Sequence, residues 1–245
     1  IEGLPGFFAG LFGGVCISIV VALIVGSPTL RLKGDYLAIA TLGVAEIIRI
    51  LILNMGDLTN GARGISGISF PFESNMSFIM VLFLIVIVTS IITINYIHSS
   101  PGRATIAIRE DEIAAESMGV NATTYKVIAF MIGAATASIA GSLYGTYFSV
   151  ITPGDFTFQK SIDVLIIVVF GGIGSVTGTI VAAVVLGVLN TYLQSFGELR
   201  MIFYSLAIIA IMVFRPGGLL GNREFTMSSL MKRFAKKDTA KKEVQ

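Results

Sequence analysis

The first residues of this chain that could do chemistry are a charged pair inside an apolar stretch. Glu46 and Arg49 lie in the run Tyr36–Asn54, which holds no other Asp, Glu, Lys or Arg. Because they are three residues apart, a helix places both side chains on one face, where they can form an ion pair. Charged groups within a membrane usually face the interior of a helix bundle or a water-filled path. Two interpretations stay open: a pair that lines or gates such a path, and a structural pair with Arg49 reaching toward the outer interface.

A second group of charges lies in Ser99–Lys126, between the apolar runs Met76–Ile97 and Val127–Ile151, which carry no Asp, Glu, Lys, Arg or His. Each run is long enough to cross a hydrocarbon core of ~30 Å at ~1.5 Å per helical residue. The stretch 110–116 within the charged segment is rich in acidic residues. An amphipathic helix on a lipid surface normally carries Lys and Arg on its polar face, so the acidic stretch favours a protein partner.

The charged segment can form helices in two ways. One continuous helix can begin at Pro101, or the chain can break at Asp111, which would then N-cap a shorter helix Glu112–Met118. The break accounts better for Asp111, and Gly119 suits a helix stop in either case. We therefore expect a short helix that presents small and apolar residues to a soluble partner, Ala114, Ala115 and Met118.

The single cysteine and the single histidine exclude several chemistries. Cys16 lies in an apolar run and His98 has no second histidine to act with, so we expect no disulfide, no thiolate or histidine metal site and no Ser-His-Asp constellation. We expect no cofactor bound by this chain and no nucleic-acid partner.

The glycines Gly171, Gly172 and Gly174 follow an apolar run and imitate the phosphate loop of a nucleotide-binding fold. The third glycine of that fingerprint is replaced by Thr177, and the chain has no GxxxxGK[ST] motif. We therefore expect no ATP hydrolysis by this chain. The glycines instead predict a tight non-helical turn buried among helices.

The composition places the chain among membrane proteins. Of its 245 residues, 54% are hydrophobic and 13% are charged, and the mean hydropathy is +0.87, whereas soluble domains carry about 25% charged residues. Seven apolar segments follow, of which the fifth is too short to span alone: Gly6–Thr29, Tyr36–Asn54, Met76–Ile97, Val127–Ile151, Ser161–Phe170, Val176–Phe196 and Leu199–Phe214. Because the chain opens at Ile1 rather than Met, we expect a preceding segment.

The distribution of basic residues predicts the orientation. Thirteen of the 17 Lys and Arg residues lie on one side if all seven segments cross, eight of them after Phe214. The positive-inside rule then places Ser99–Lys126 and the C-terminus in the cytoplasm. Ser117 and Thr239 are expected inside, and Ser66 and Thr157 outside. The basic tail can bind the anionic inner leaflet. The outer loop Asn54–Asn75 suits either a plain connection or a surface for an external binding protein.

Small residues at four-residue spacing predict where helices approach closely. One stripe consists of Gly6, Gly10 and Gly14, and another of Gly133, Ala137, Gly141 and Gly145. Such stripes mostly serve helix packing in lipid, and a pore-lining role is the alternative.

Several motifs together resemble a known family. The segment Glu112–Gly119 (EIAAESMG) is similar to the cytoplasmic EAA-type loop of ABC importer permeases, although Ile113 stands where that loop has Glu. The wider chain resembles the branched-chain amino-acid permease family, in its M-type membrane subunit. The segments that carry this likeness are Leu32–Gly43, Ala45–Arg49, Asn60–Ile68, Gly102–Asn121 (GRATIAIREDEIAAESMGVN), Gly171–Ser175 and Phe214–Gly221.

The resemblance implies an all-α polytopic transmembrane helix bundle with a cytoplasmic coupling helix. It implies a permease domain, which we take as residues 1–221, with a coupling loop at 99–126. The charge of residues 222–245 predicts a basic cytoplasmic tail. The implied partners are a homologous second permease, two cytoplasmic ATPases, an external solute-binding protein and the lipid of a bacterial plasma membrane. The implied contacts to an ATPase are Asp111, Glu112, Ile113, Ala114, Ala115, Met118 and Gly119. Glu46, Arg49, Gly171, Gly172 and Gly174 are candidates for the translocation path.

Two other functions remain open from the sequence. Importers of urea or short amides use the same type of permease, and nothing in the chain fixes the cargo. A stand-alone secondary transporter or channel is the alternative from another class, and it would need ion-coupling carboxylates at mid-membrane, for which only Glu46 is available.

Overall fold

The computed structural model of the protein describes residues 3–72, 74–193 and 202, 205, 206 and 209. The basic tail with Thr239, the end of the sixth predicted segment and nearly all of the seventh, Leu199–Phe214, lie outside the described residues. The chain divides into two compact units, Ile1–Lys160 and Ser161–Gln245.

The described residues are mainly helical. The helices are α1 (Leu4–Thr29), α2 (Asp35–Asn54), α3 (Gly56–Thr59), α4 (Asn75–His98), α5 (Ser100–Glu110), α6 (Glu112–Ser117), α7 (Ala122–Phe148), α8 (Phe158–Gly171) and α9 (Val176–Leu193). Short 3-10 turns cover Gly61–Arg63 and Pro153–Asp155, and two-residue strands are β1 (Ile65–Ser66) and β2 (Val150–Ile151).

Among the described residues, five helices are long and apolar enough to cross a membrane, α1, α2, α4, α7 and α9. This confirms the predicted all-α polytopic architecture. The helix α8 has 14 residues, about 21 Å at ~1.5 Å per residue, which is shorter than a ~30 Å hydrocarbon core. It corresponds to the fifth predicted segment, whose shortness the sequence already indicated.

Small residues bring α1 and α7 together along most of their length. The hydroxyl of Ser18 donates to the carbonyl of Ala134 at 2.7 Å. A Cβ added to Gly14 would lie 3.1 Å from the Ser138 oxygen, and one added to Gly26 would lie 3.0 Å from the ring of Phe130. Lipid gives helices no hydrophobic drive to associate, so this close approach is what holds the pair together.

The contact differs in register from the stripes predicted from sequence. On α1 the contacting residues continue the predicted stripe from Gly14 through Ser18 to Gly26. On α7 the residues that face α1 lie one position later than the predicted stripe, and Gly133 and Ala137 are exposed. Four-residue spacing identified the helices that pack, but it could not choose between two adjacent stripes of small residues on α7.

One end of the first unit, the loop end, is formed by residues 55–72 and 149–157. There β1 pairs antiparallel with β2, with Ile65 opposite Ile151 and Ser66 opposite Val150. An aromatic cluster packs beside this pairing, with neighbouring ring centroids 5.3–5.8 Å apart: Phe7, Phe70, Phe72, Phe78 and Tyr147. Aromatic packing at this spacing fixes the loop against the ends of α4 and α7.

The opposite end, the platform end, is formed by residues 99–121, including α5 and α6. The N-cap Ser99 accepts a hydrogen bond from the amide of Gly102 at 3.2 Å. A Cβ at Gly102 would overlap the carbonyl oxygen of Tyr96. The glycine therefore lets α5 turn sharply away from α4 at the place where the apolar run ends.

In the second unit, α8 and α9 form a close antiparallel hairpin. The turn uses Gly172 at φ 110° and Gly174 at φ 99°, a conformation that side chains disfavour. A Cβ at Gly171 would lie 2.6 Å from the Thr179 Cα, and one at Gly178 would overlap the carbonyl oxygen of Gly171. The tight non-helical turn predicted for this glycine run is confirmed.

The hairpin gives a matched test of close packing within one helix. Gly178→Ala should lower stability by ~1–3 kcal/mol, because the added methyl meets the backbone of α8. Gly187→Ala lies in the same helix with nothing within 4 Å of the added methyl, and it should be neutral or slightly stabilising. Thermal unfolding of the purified protein measures both, and equal melting temperatures would contradict the hairpin geometry.

The two ends of the first unit should lie on opposite sides of the membrane. In a Cys16→Ser background, Ser66→Cys and Thr157→Cys at the loop end should react with an impermeant maleimide in intact cells. Ser117→Cys at the platform end should react only after the cells are opened, as the positive-inside rule predicts. Labelling of Ser117→Cys from outside would reverse the orientation.

Candidate functional sites

The platform is built around a break between two helices at Asp111. The α5 helix ends at Glu110, and Asp111 adopts an extended conformation with φ −154° and ψ 107°. Its carboxylate accepts a hydrogen bond from the amide of Ala114 at 2.9 Å, which satisfies one of the free amides at the start of α6. The N-capping role predicted for Asp111 is confirmed.

The α6 helix ends in a glycine-dependent stop. Gly119 has φ +85°, and its amide donates to the Glu116 carbonyl at 3.0 Å. The amide of Val120 donates to the Ala115 carbonyl at 3.1 Å. This pair of bonds is a Schellman motif, which caps the last carbonyls and turns the chain toward α7. The predicted stop at Gly119 is confirmed.

Glu112 ties α6 to two other parts of the first unit. Its carboxylate accepts a hydrogen bond from Lys126 of α7 at 2.8 Å and lies 3.3 Å from Lys33, in the connection between α1 and α2. Lys33 also lies 3.6 Å from Glu116. The hydrogen bond from Lys126, supported by Lys33, lowers the pKa of Glu112, and Glu112 in turn raises the pKa of Lys33. The carboxylate stays ionised and holds the platform against both segments.

The predicted partner face of α6 is divided between the inside and the outside. Ala115 is 6% exposed and packs with Ile108 and Ala122 inside the platform. Ala114 is exposed, and Ile113 and Met118 are 75% and 84% exposed. Ala115 therefore supports the platform from within, so a substitution there would disturb internal packing first. The large apolar side chains on the outer surface of α6 are Ile113 and Met118.

The Glu46–Arg49 pair forms as the spacing predicted. The Arg49 Nε lies 3.1 Å and 2.9 Å from the two Glu46 carboxylate oxygens, and Nη2 also pairs with this carboxylate. The Arg49 side chain is 26% exposed and that of Glu46 is 44% exposed. The two charges therefore neutralise each other within α2, a helix that has no buried residue.

Arg49 also lies in the wall of a cavity that the sequence did not indicate. The cavity has a volume of about 250 Å³ and lies between the last turns of α2 and the loop end. Its wall is mainly apolar, and the side chains that give it this character are Ile48, Ile52, Ile65, Ile151 and Phe156. Glu46 is not in the wall.

Gly64 allows the two strands of the loop end to approach closely beside this cavity. Gly64 has φ +69°, and a Cβ there would overlap the carbonyl oxygen of Ile151. The wall is contributed by three segments, around residues 45–52, 59–65 and 151–156, of which the first two are close in sequence and the third lies much later in the chain. Spacing along the chain carries no signal that the third segment meets the first two, and the glycines of Asn60–Ile68 are the local feature that could have suggested a close approach.

The other predicted path residues form the hairpin turn of the second unit. Gly171 and Gly172 are buried and Gly174 is exposed. Among residues 3–72 and 74–193, no group of three His, Cys, Asp or Glu side chains could hold a metal ion.

The spanning helices and the capped platform describe a multi-pass membrane protein of the permease type. The chain matches the family described as "Branched-chain amino acid transport system / permease component" over residues 2–212. It therefore belongs to this permease family.

Similar proteins include two named as high-affinity branched-chain amino acid transport system permease protein LivM. The chain is 37% identical to that of Salmonella typhimurium and 36% identical to that of Escherichia coli, in each case over 88% of this chain and 57% of the relative. It is 29% identical to LivH of Salmonella typhimurium over 71% of this chain and 61% of that relative. The chain thus spans less than two thirds of the length of these relatives. No solved structure is significantly similar to it.

The ion pairs of Glu112 should control the order of the platform. Glu112→Gln should make the amides of α6 exchange with deuterium about two- to fivefold faster at neutral pH, because Lys126 loses its ion pair and Lys33 keeps only the longer contact to Glu116. Glu110→Gln is the matched control, since Glu110 is exposed and pairs only with its neighbour Arg109 among the described residues.

Acid should act in the same direction as the Glu112 substitution. Because the folded-state pKa of Glu112 lies below the ordinary 4.5, its contribution to stability is present above that value and is lost as the pH falls through the folded-state pKa.

Equal rates of deuterium exchange at the α6 amides in Glu112→Gln and Glu110→Gln would show that the ion pairs do not hold α6.

Proposed function

We propose that the chain is a membrane-spanning permease subunit of an ATP-driven importer of branched-chain amino acids. The observation that carries this proposal is the platform, where Ile113 and Met118 are exposed on a short helix capped at both ends. A flexible loop transmits little of the movement of a bound soluble protein, whereas a helix that is fixed at both ends can transmit that movement to the membrane-spanning helices. The membership of the permease family supports the transport role.

The platform is proposed as the coupling element between the permease and an ATPase. In this proposal Ile113, Ala114 and Met118 contact the ATPase directly. Asp111 and Gly119 fix the ends of α6, Ala115 packs it from inside, and Glu112 links it to Lys33 and Lys126. Movement of the ATPases would shift α6 and, through these contacts, the spans α1, α2 and α7 in an alternating-access cycle.

The complete importer is proposed to contain further subunits. The relatives include LivM and LivH permease proteins of the same organism, which supports two homologous permeases side by side. We propose two cytoplasmic ATPases and an external solute-binding protein as the remaining partners. The platform end and the basic tail at 222–245 would face the cytoplasm of a bacterial cell, and residues 1–221 would form the permease domain in its plasma membrane.

The translocation path is proposed to include Glu46 and Arg49 of the first unit. Independently of that pair, Gly171, Gly172 and Gly174 of the second unit are proposed as translocation-path residues. Their close backbone packing supports a rigid hairpin that could move as one body.

A pair of matched substitutions tests where the ATPase binds. Ile113→Asp places a charge on the platform and should reduce the ATPase that co-purifies with the permease by about tenfold or more, since a desolvated charge at a packed interface is strongly unfavourable. Leu58→Asp is the control, because Leu58 is 74% exposed, nearly as much as Ile113 at 75%, but lies at the loop end.

The readout is the ATPase-to-permease ratio after purification from membranes, with leucine-stimulated ATP hydrolysis as a second measurement. Normal ATPase recovery and stimulation in Ile113→Asp would reject the platform as the coupling element. Loss of the ATPase in Leu58→Asp instead would place the ATPase at the opposite end.

A further inference from the structure

We infer that the cavity beside Arg49 binds the transported amino acid, with its carboxylate on the Arg49 guanidinium and its branched side chain against the apolar wall. This inference rests on the proposed function and assigns a binding site to it. The first step of the argument is the chemistry of the wall. The side chains of Ile48, Ile52 and Phe156 are suited to an aliphatic group. The cavity of about 250 Å³ lies just below the ~300–1,000 Å³ of pockets for drug-sized ligands, which suits a ligand as small as an amino acid.

The second step is that Arg49 keeps free donors. A guanidinium has five N–H groups, and Glu46 engages Nε and Nη2. The Nη1 nitrogen makes no hydrogen bond to any residue that the structure describes. Arg49 can therefore hold Glu46 with one edge and offer N–H groups on the other edge to a carboxylate, which is the geometry that guanidinium favours.

The third step is that the other polar side chains in the wall are already used. The Thr59 hydroxyl donates to the Ile52 and Met55 carbonyls at 2.6 Å and 2.9 Å. The Thr152 hydroxyl donates to the Asp155 carboxylate at 2.8 Å. These donors hold the loop end together, so Arg49 is the side chain of the wall with capacity left for an anion.

The fourth step is the position of the cavity. It lies at the loop end, away from the platform, with Ile65 of β1 and Ile151 of β2 as part of its wall. The loop end is the side on which an external binding protein would release its ligand under the proposed function. A site here would receive the amino acid before it passes along the spans.

The test uses protection of a cysteine in the assembled transporter, reconstituted with its partner permease and ATPases but without the binding protein. Ile65→Cys, in a Cys16→Ser background, places a thiol in the cavity wall, and its reaction rate with a small thiol reagent is measured. Saturating L-leucine should slow this reaction at least fivefold. L-Leucinol has the same side chain and amine but no carboxylate, and it should give little protection.

Matched variants connect the protection to the cavity. Ala45→Phe fills the cavity, and Arg49→Lys keeps the charge but loses the fork of donors. Each should raise the leucine concentration that gives half protection at least tenfold. Ala38→Phe is the control for Ala45→Phe, since Ala38 lies two turns earlier on the same face of α2 and outside the wall. It should leave the leucine concentration for half protection unchanged. Leu58→Cys, outside the wall, should not be protected.

Two outcomes would overturn the inference. One is equal protection by leucine and leucinol, and the other is an unchanged leucine concentration for half protection in both Ala45→Phe and Arg49→Lys. The comparison of ligands uses no wall substitution beyond Ile65→Cys, so it decides the matter even where Ala45→Phe fails to assemble. ATP-driven uptake, with the binding protein added, is measured on the same preparation. Uptake of leucine without protection of Ile65→Cys would reject the cavity as the binding site and leave the proposed function standing. Absence of uptake of any branched-chain amino acid would reject the proposed function.

Discussion

The close approach of α1 and α7 is the constraint on which the first unit depends. In lipid, two helices associate through packing and hydrogen bonds rather than through the hydrophobic effect. Here the contact uses Gly14, Ser18 and Gly26 on α1 against Ala134 and Ser138 on α7. By contrast, α2 has no buried residue and α4 has one, Phe78. Within the first unit, the α1–α7 pair is thus the packed core to which the other elements of that unit are attached.

The platform and the cavity lie at opposite ends of α7. At the platform end, Lys126 of α7 binds Glu112 of α6, and Ala122 packs with Ala115. At the loop end, α7 leads directly into β2, whose residue Ile151 lies in the cavity wall and contacts Gly145 of α7. A displacement of α6 is therefore connected to the cavity wall by one continuous helix. This is a physical connection between two sites, and a two-state movement of α7 is what would turn it into coupling.

Local features of the fold could be predicted from sequence because their causes are local. The break at Asp111, the stop at Gly119 and the pairing of Glu46 with Arg49 each depend on residues within a few positions of one another. The same holds for the glycine turn before α9. The seven apolar segments follow from runs of apolar residues along the chain, and those that fall on described residues appear as helices, except that the fourth, Val127–Ile151, ends in the strand β2 and not in helix.

The parts that escaped prediction depend on which surfaces meet. Periodicity gave Ala114, Ala115 and Met118 a common face, but it could not tell that Ile108 and Ala122 would cover Ala115 and leave Ile113 outside. The register of α7 against α1 was missed for the same reason, since two adjacent stripes of small residues satisfy the same spacing. The cavity required segments around residues 48, 65 and 151 to converge, and this information is in the tertiary fold and not in any one segment.

The pairing of Arg49 with Glu46 has a further consequence for a transport path. An unpaired guanidinium in an apolar wall would bind a carboxylate tightly, and a tightly bound ligand leaves slowly. Glu46 already satisfies part of the guanidinium, so the attraction that remains for a second carboxylate is reduced. Passage through a membrane protein requires binding that is favourable enough for entry and weak enough for release. If the cavity binds the amino acid as inferred above, the self-neutralised pair on α2 would meet both requirements, because it leaves no bare charge in an empty cavity and would hold the ligand carboxylate only in part.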